Sequence, residues 1–524
     1  MKSSSLVLNS IVISAVLITA VVVNTASAST PNFINSERVN VQEHEGNINA
    51  LPTVVSANLA VISSDATADE ALANLIIEKR LRSAIRGARR APSINEPITQ
   101  LGMKLFFTKA LGGEKTVACA TCHHPELGGA DQLSFSIGTN AIDPDAIGLE
   151  RKALNNEVTI PRNAPTIFNT GLMRRTLFWD GRVEMVTNEQ GVRTNQISTP
   201  DSTFNSVDVN AGDSLTAALS RFPVTSVEEM RGSAFPQATT NDEVRRHLAE
   251  RIGDYGGETG SLDTNDWLAH FQQAFNSDEP AQNLITFDSI ALALGQYQQS
   301  LVLVDSDWHR YLNGDPTALN DQQKRGAVLY FTPREDGGAG CDTCHGGTRF
   351  TREGFVNVAY PQFGIGTQPD KSDIGRAAID PTRRNQFAFR IPSLLNVALT
   401  APYGHAGSFE TLEQVVAHYV DPATSIEQFF QRGGACGLPQ FADNENCDEL
   451  NDQAQQNSQA ALNRFERSRF VKPILNAEQQ QDVVAFLHAL TDHCATDTDC
   501  IQQWVPSDSS NDPDNLQLRA RFTP

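Results

Sequence analysis

Cys119-Ala-Thr-Cys122-His123 and Cys341-Asp-Thr-Cys344-His345 decide how this chain is read. Each has the C-x-x-C-H spacing of a c-type haem attachment site. Two cysteines one helical turn apart reach the vinyl groups on one edge of a porphyrin, and the histidine that follows swings under the ring to ligate iron. C-x-x-C alone also suits a zinc knuckle or a thioredoxin-like redox pair. The histidine directly after the second cysteine, present in both copies, argues against each. The reading is two covalently bound haems c in a chain exported to an oxidising compartment.

The N-terminus carries an export signal. Lys2 is followed by an apolar run from Leu6 to Val23 and by Ala26-Ser27-Ala28, so residues 1–28 read as a signal peptide cleaved after Ala28. A retained anchor is the alternative, but Asn9, Ser10, Ser14 and Thr19 interrupt the run. No later stretch is long and apolar enough to span a bilayer, so the expected location is the periplasm, with no stable membrane span after cleavage. The net charge of −21 argues against nucleic acid and suits a basic protein partner. Of eight cysteines, four lie in the haem motifs. By proximity, Cys436 with Cys447 and Cys494 with Cys500 read as two local disulfides.

The 524 residues allow two or three domains. Residues 29–91 form an N-terminal extension, irregular to about 66 and then helical from Asp69 to Arg90, with Leu72, Leu75, Ile76, Leu81 and Ile85 at helical spacing. Lys79, Arg80, Arg82, Arg86, Arg89 and Arg90 make that stretch basic: a solvated face packed on the acidic body, or a surface for an acidic partner. Residues 92–315 form a first haem domain, closed by a helical region from Asp242 to Leu303. A loop from Asp305 to Pro316 leads to a second haem domain over 316–493, and 494–524 read as a polar tail. Further helices are expected at Leu101–Phe107, Asp321–Phe331, Thr411–Val420 and Ala477–Leu490. Strand patterning is scarce, so the fold class is mainly α: two cytochrome c-like domains with long loops. Both follow the order helix, C-x-x-C-H, long loop, helix, which suggests duplication.

The sixth iron ligand in many cytochromes c is methionine. The last methionine here is Met230, so the second unit has none, leaving His309, His405, His418, Tyr419, His488 and His493. On the helix after Thr411, Leu412, Val415, Val416 and Tyr419 make one apolar stripe, which aims Tyr419 inward and sets His418 on the polar side. A core tyrosine whose hydroxyl is satisfied elsewhere is the other reading.

Over residues 92–493 the chain resembles the bacterial di-haem cytochrome c peroxidase/MauG family. The resemblance is carried by both haem motifs, Arg162-Asn-Ala-Pro-Thr166, Phe178-Trp-Asp-Gly-Arg182, Phe389-Arg-Ile-Pro-Ser393, Leu399-Thr-Ala-Pro-Tyr403 and His405-Ala-Gly407. It implies a mostly helical protein with haems near a domain interface. It also implies use of hydrogen peroxide to oxidise an electron-donor protein or to modify a partner protein.

In family peroxidases a methionine ligand stands fourteen residues after the His-x-Gly histidine. In MauG-like proteins a tyrosine does, and Tyr419 holds that place after His405. A phenolate is a hard donor that favours higher iron oxidation states than a thioether does. The family's distal histidine position is occupied by Thr139, which implies a five-coordinate first haem open to peroxide.

Glu229, directly before Met230, matches the family's distal acid, with Glu228 as rival, and Pro223 matches a pocket proline. The family's pocket glutamine is replaced by Leu219, a departure that leaves the positioning of peroxide open. Trp179 matches the tryptophan between the haems, although a tryptophan beside Phe178 also serves as core. Asn163, Thr400 and Pro402 match a calcium site of oxygen donors. Three functions follow: a MauG-like oxidant of a protein partner, a peroxidase fed by a small cytochrome c or cupredoxin, or a non-enzymatic di-haem electron carrier.

Overall fold

The computed structural model describes residues 67–257, 262–468, 470–507 and 511–521. The signal peptide and the irregular stretch to residue 66 lie outside the described residues. The fold is mainly helical. The principal helices are α1 Ala68–Glu78, α2 Pro97–Phe107, α3 Asn241–Gly253, α4 Trp267–Phe275, α5 Phe287–Ser300, α6 Asp321–Phe331, α7 Leu412–Val420 and α8 Ala477–His488. No helix among the described residues is long and apolar enough to cross a membrane.

Two helix pairs organise two cores. In the first, α2 crosses α5 so closely that a Cβ on Gly102 would lie 2.0 Å from Ala293 O. In the second, α6 crosses α8, and a Cβ on Gly326 would lie 1.8 Å from Asp482 O. Only glycine permits either approach. An aromatic residue four positions later fills each crossing: Phe106 meets Tyr297 at 4.9 Å and Tyr330 meets Phe486 at 5.1 Å between ring centroids. The first core also takes Leu248, Trp267, Phe271 and Ile290 from α3, α4 and α5, and the second takes Leu412 and Val416 from α7.

Several expectations are revised. The helix expected to Arg90 ends at Glu78; Arg80 takes a left-handed φ of 53°, and the chain continues irregularly to a short 3-10 turn at Ala88–Arg90. The stretch expected to be a loop contains a helix, Asp307–Leu312, because Trp308 has a place in the second core. The tail is not simply polar: Ile501, Trp504 and Leu518 are buried in the first core. There Tyr297 Oη donates to Trp504 O at 2.7 Å, and Trp267 Nε1 donates to Asp514 Oδ2 at 2.8 Å. The N-terminal helix α1 makes the opposite crossing, burying Leu72 in the second core and pairing Asp69 with Lys324 at 2.8 Å.

A three-stranded antiparallel sheet, β1 Thr176–Leu177, β2 Val183–Thr187 and β3 Arg193–Ser198, covers its own small core under Leu177, Val183 and Ile197. Disulfides join Cys436 to Cys447 and Cys494 to Cys500. The four motif cysteines take no part in a disulfide.

Candidate active site

Each C-x-x-C-H histidine is held in the same way. His123 Nδ1 faces Gly129 O at 3.3 Å, and the ring also meets the backbone of Pro165; His345 Nδ1 faces Pro392 O at 3.1 Å. A carbonyl on Nδ1 fixes the tautomer and leaves Nε2 to a metal. Burial pushes both imidazoles down to about 4, so each is a neutral ligand at ordinary pH.

The prolines belong to a repeat that sequence reading passed over, P-[T/S]-x-x-N, as Pro165-Thr166-Ile167-Phe168-Asn169 and Pro392-Ser393-Leu394-Leu395-Asn396. Thr166 Oγ1 donates to Gly128 O and Ser393 Oγ to Arg349 O, tying each repeat to its own motif loop. Asn169 and Asn396 both adopt left-handed φ, 62° and 63°, and both side-chain amides donate to Leu303 O at 2.9 Å. The shared signal is short and polar, which is why hydrophobic periodicity did not reveal it.

Around the second motif a largely enclosed apolar cavity is lined by Cys341, Cys344, His345, Tyr360, Val415, and Tyr419. Leu412, Val415, Val416 and Tyr419 of α7 all face it. Burial lifts the Tyr419 phenol well above 10, and its hydroxyl bonds to that of Tyr360, a partner that no local pattern announces. His418 is not on a polar side: it is fully buried, with Nε2 at 2.8 Å from Val358 O. Met173, from the segment before β1, lines the same cavity although it precedes the second unit by far in sequence. His405 stacks on Phe389 at 3.8 Å between centroids and bonds to Gln362 Nε2 at 3.1 Å.

The strip Asn163–Thr166 forms part of this cavity's wall, while the backbone of Pro165 also meets His123 of the first motif. Trp179 lies in the same wall. Its Nε1 donates to Asn163 O at 2.9 Å, and its own carbonyl accepts from Arg390 N at 2.8 Å. Thr400 and Pro402 line the cavity with Asn163, whose Nδ2 donates to Leu133 O at 2.7 Å.

At the first motif, Glu229 lies in a π-helical turn, Val227–Arg231, whose start is capped by Ser226 Oγ accepting from Glu229 N. Such turns re-aim a side chain out of the regular helical path. Gly138 packs so tightly on this turn that a Cβ would lie 2.0 Å from Glu228 O. Thr139 N donates to Glu228 O and Thr139 Oγ1 to Val227 O, so the residue at the distal-histidine position braces the turn. Glu228 is exposed, whereas burial raises the Glu229 carboxyl, with Arg182 opposing and Glu228 adding. The charge of Glu229 is felt at Cys122. Pro223 opens the short turn Pro223–Thr225 that precedes it, and Leu219 packs against the sheet's core.

Arg182 is the functional candidate that the motif contained but did not announce. It stacks on Phe178 at 3.8 Å and pairs with Asp180 at 3.2 Å. Asp180 is further held by Arg162, which also grips Asp373, both at 2.6 Å. Burial alone would raise Asp180, but Arg182 and Arg162 outweigh it and hold the carboxyl at about 2.

These residues fit a haem c at each motif: neutral imidazoles, paired cysteines outside any disulfide, and at the second motif an apolar enclosure.

Comparison with known proteins agrees. Residues 96–317 match the family model of di-haem cytochrome c peroxidases. The chain is 31% identical to a cytochrome c551 peroxidase of Pseudomonas aeruginosa over 333 residues, covering 63% of this chain and 73% of that protein. It is 28% identical to the methylamine utilization protein MauG of Methylorubrum extorquens over 374 residues, covering 71% and 81%. A solved MauG-like protein associated with microbial copper homeostasis shares the fold, with a TM-score of 0.50 at 24% identity over 79% of this chain and 96% of that one. The chain belongs to the di-haem cytochrome c peroxidase family and is an oxidoreductase of the cytochrome c peroxidase/MauG type.

Proposed function

We propose that this protein is a periplasmic, hydrogen peroxide-dependent oxidoreductase of the MauG-like kind, which oxidises a protein partner. The observation that carries this reading is Tyr419, aimed into the cavity that also holds His345, Cys341 and Cys344. When bound, the two haems c supply the electron chemistry that reduces peroxide; the chain's own residues do the rest.

Cys119 and Cys122 would attach the first haem, with His123 to ligate its iron, and Cys341, Cys344, His345 and Tyr419 would serve the second. Glu229, its carboxyl raised by burial and set beside the first motif, passes a proton between the two peroxide oxygens. The charge of Arg182 acts on the same carboxyl and opposes the effect of burial. Pro223 helps set the pocket wall. Trp179, pinned by Asn163 O and Arg390 N, relays electrons between the sites. Asn163, Thr400 and Pro402 offer a neutral set of oxygens to a calcium ion, which would stiffen the wall between the sites.

The test is an EPR spectrum of the oxidised holoprotein before and after one equivalent of peroxide. The proposal expects a high-spin ferric signal that disappears together with a low-spin one, followed by modification of a tyrosine or tryptophan on a dedicated partner. Two low-spin signals indifferent to peroxide would leave only an electron carrier. Rapid steady-state oxidation of a reduced small cytochrome would make it a donor-fed peroxidase instead.

A further inference from the structure

The protein's net charge is −21, yet arginines gather on one face. The irregular chain after α1, which ends in a 3-10 turn at Ala88–Arg90, is fastened by Leu81, Ile85 and Ala88, which pack on the second core and on the sheet's core. Apolar anchoring turns the intervening side chains outward, and Arg80, Arg82, Arg86, Arg89 and Arg90 are all exposed. Two carboxylates near this face, Asp342 and Glu353, are already engaged. Asp342 pairs with Lys79 at 2.9 Å, and buried Glu353 binds Arg349 and the backbone N–H groups of Arg174 and Arg175.

The fold brings further cations to the same place. Arg174 NH2 donates to Arg86 O at 3.0 Å. Burial and the charges of Arg86, Arg349 and Arg90, opposed in part by Glu353, hold the Arg174 guanidinium below its usual range. Burial, Arg193 and Arg349 do the same to Arg175. Like charges held this close repel, and an incoming negative surface relieves that cost. The patch borders the second haem motif: Lys79 grips the Asp342 side chain inside it, and Arg352 donates to Asp342 O at 3.2 Å.

We propose that this arginine-rich face is the docking surface for an acidic protein, seated beside the Cys341–His345 loop. The inference rests on the reading that the second site serves a protein partner. It reverses the partner's sign from the one that net charge alone suggests. A small acidic protein engages the patch within a Debye length of about 10 Å and avoids the acidic remainder. A membrane or a nucleic acid is negatively charged over a far longer span and meets that remainder as well.

The holoprotein is tested by biolayer interferometry against plastocyanin as acidic probe, mitochondrial cytochrome c as basic probe, and phosphatidylglycerol vesicles. Plastocyanin is expected to bind at about 20 mM salt and to lose binding at about 200 mM. The variant R86E/R89E/R90E is expected to weaken it by about tenfold or more with unchanged Soret absorption and thermal unfolding. If that variant folds poorly, R86Q/R89Q/R90Q is the replacement, with loss in the same direction. Absence of plastocyanin binding, binding that ignores the substitutions, cytochrome c binding that depends on the patch, or vesicle binding that depends on it would each overturn the proposal. The Soret response to peroxide, recorded separately, reports on the enzymatic reading and is independent of docking.

Discussion

Tyr419 shows how an acid is set by what surrounds it. In an apolar wall its phenol stays protonated and bonds to Tyr360. Only a cation next to the oxygen makes the phenolate the stable form. Tyr419→Phe is therefore expected to remove the low-spin EPR signature of the second site, whereas Met173→Leu leaves it in place. The reverse result would make Met173 the ligand. Glu229→Gln keeps size and removes the transferable proton, so kcat/KM for peroxide should fall by about 100-fold or more with the resting absorption spectrum unchanged. The inward aim of Tyr419 was legible because an apolar stripe on one helix is a local signal. The burial of His418 was not, since its satisfying carbonyl, Val358 O, comes from a distant loop. Arg182 belongs to the Phe178–Arg182 motif, but nothing in the sequence sets its charge against Glu229.

At the level of elements, the glycine crossings and the arginine–aspartate cluster carry the arrangement. Gly102→Ala or Gly326→Ala would drive a methyl group into a carbonyl of the partnering helix, and each should cost about 3 kcal/mol or more in chemical denaturation. Asp180 has a folded pKa of about 2, below its ordinary value of 3.8. Its contribution, about 2 kcal/mol, is thus complete above pH ~4 and is lost as pH falls through ~2. Asp180→Asn should remove that part of the acid transition in pH-dependent unfolding. It should also destabilise the protein at pH 7 by about 3 kcal/mol, because Arg162 and Arg182 lose a buried counter-charge. The helices around both motifs could be read from periodicity. The small sheet could not: β1 has two residues and β3 is mostly exposed, so no alternating run is long enough to register. The π-helical turn escaped for a related reason, since its ladder is defined by Ser226, Gly138 and Thr139 packing rather than by residue pattern.

On the scale of the whole molecule, the ends of the described chain are exchanged. α1 completes the second core and the tail completes the first. Trp504→Ala, which empties a buried site and leaves Ser300 Oγ without the indole N–H, should lower stability by about 3–5 kcal/mol in thermal or denaturant unfolding. Cysteine spacing and helix order carried the general architecture, whereas nothing local announced the exchange, because Leu72 and Trp504 look like ordinary apolar residues in polar surroundings. The carbonyl of Leu303 fastens both motif loops to one point, because the Asn169 and Asn396 side chains donate to the same oxygen atom. A displacement of Leu303 would therefore strand two buried amides at once, and the two loops that hold His123 and His345 share a common hinge pin.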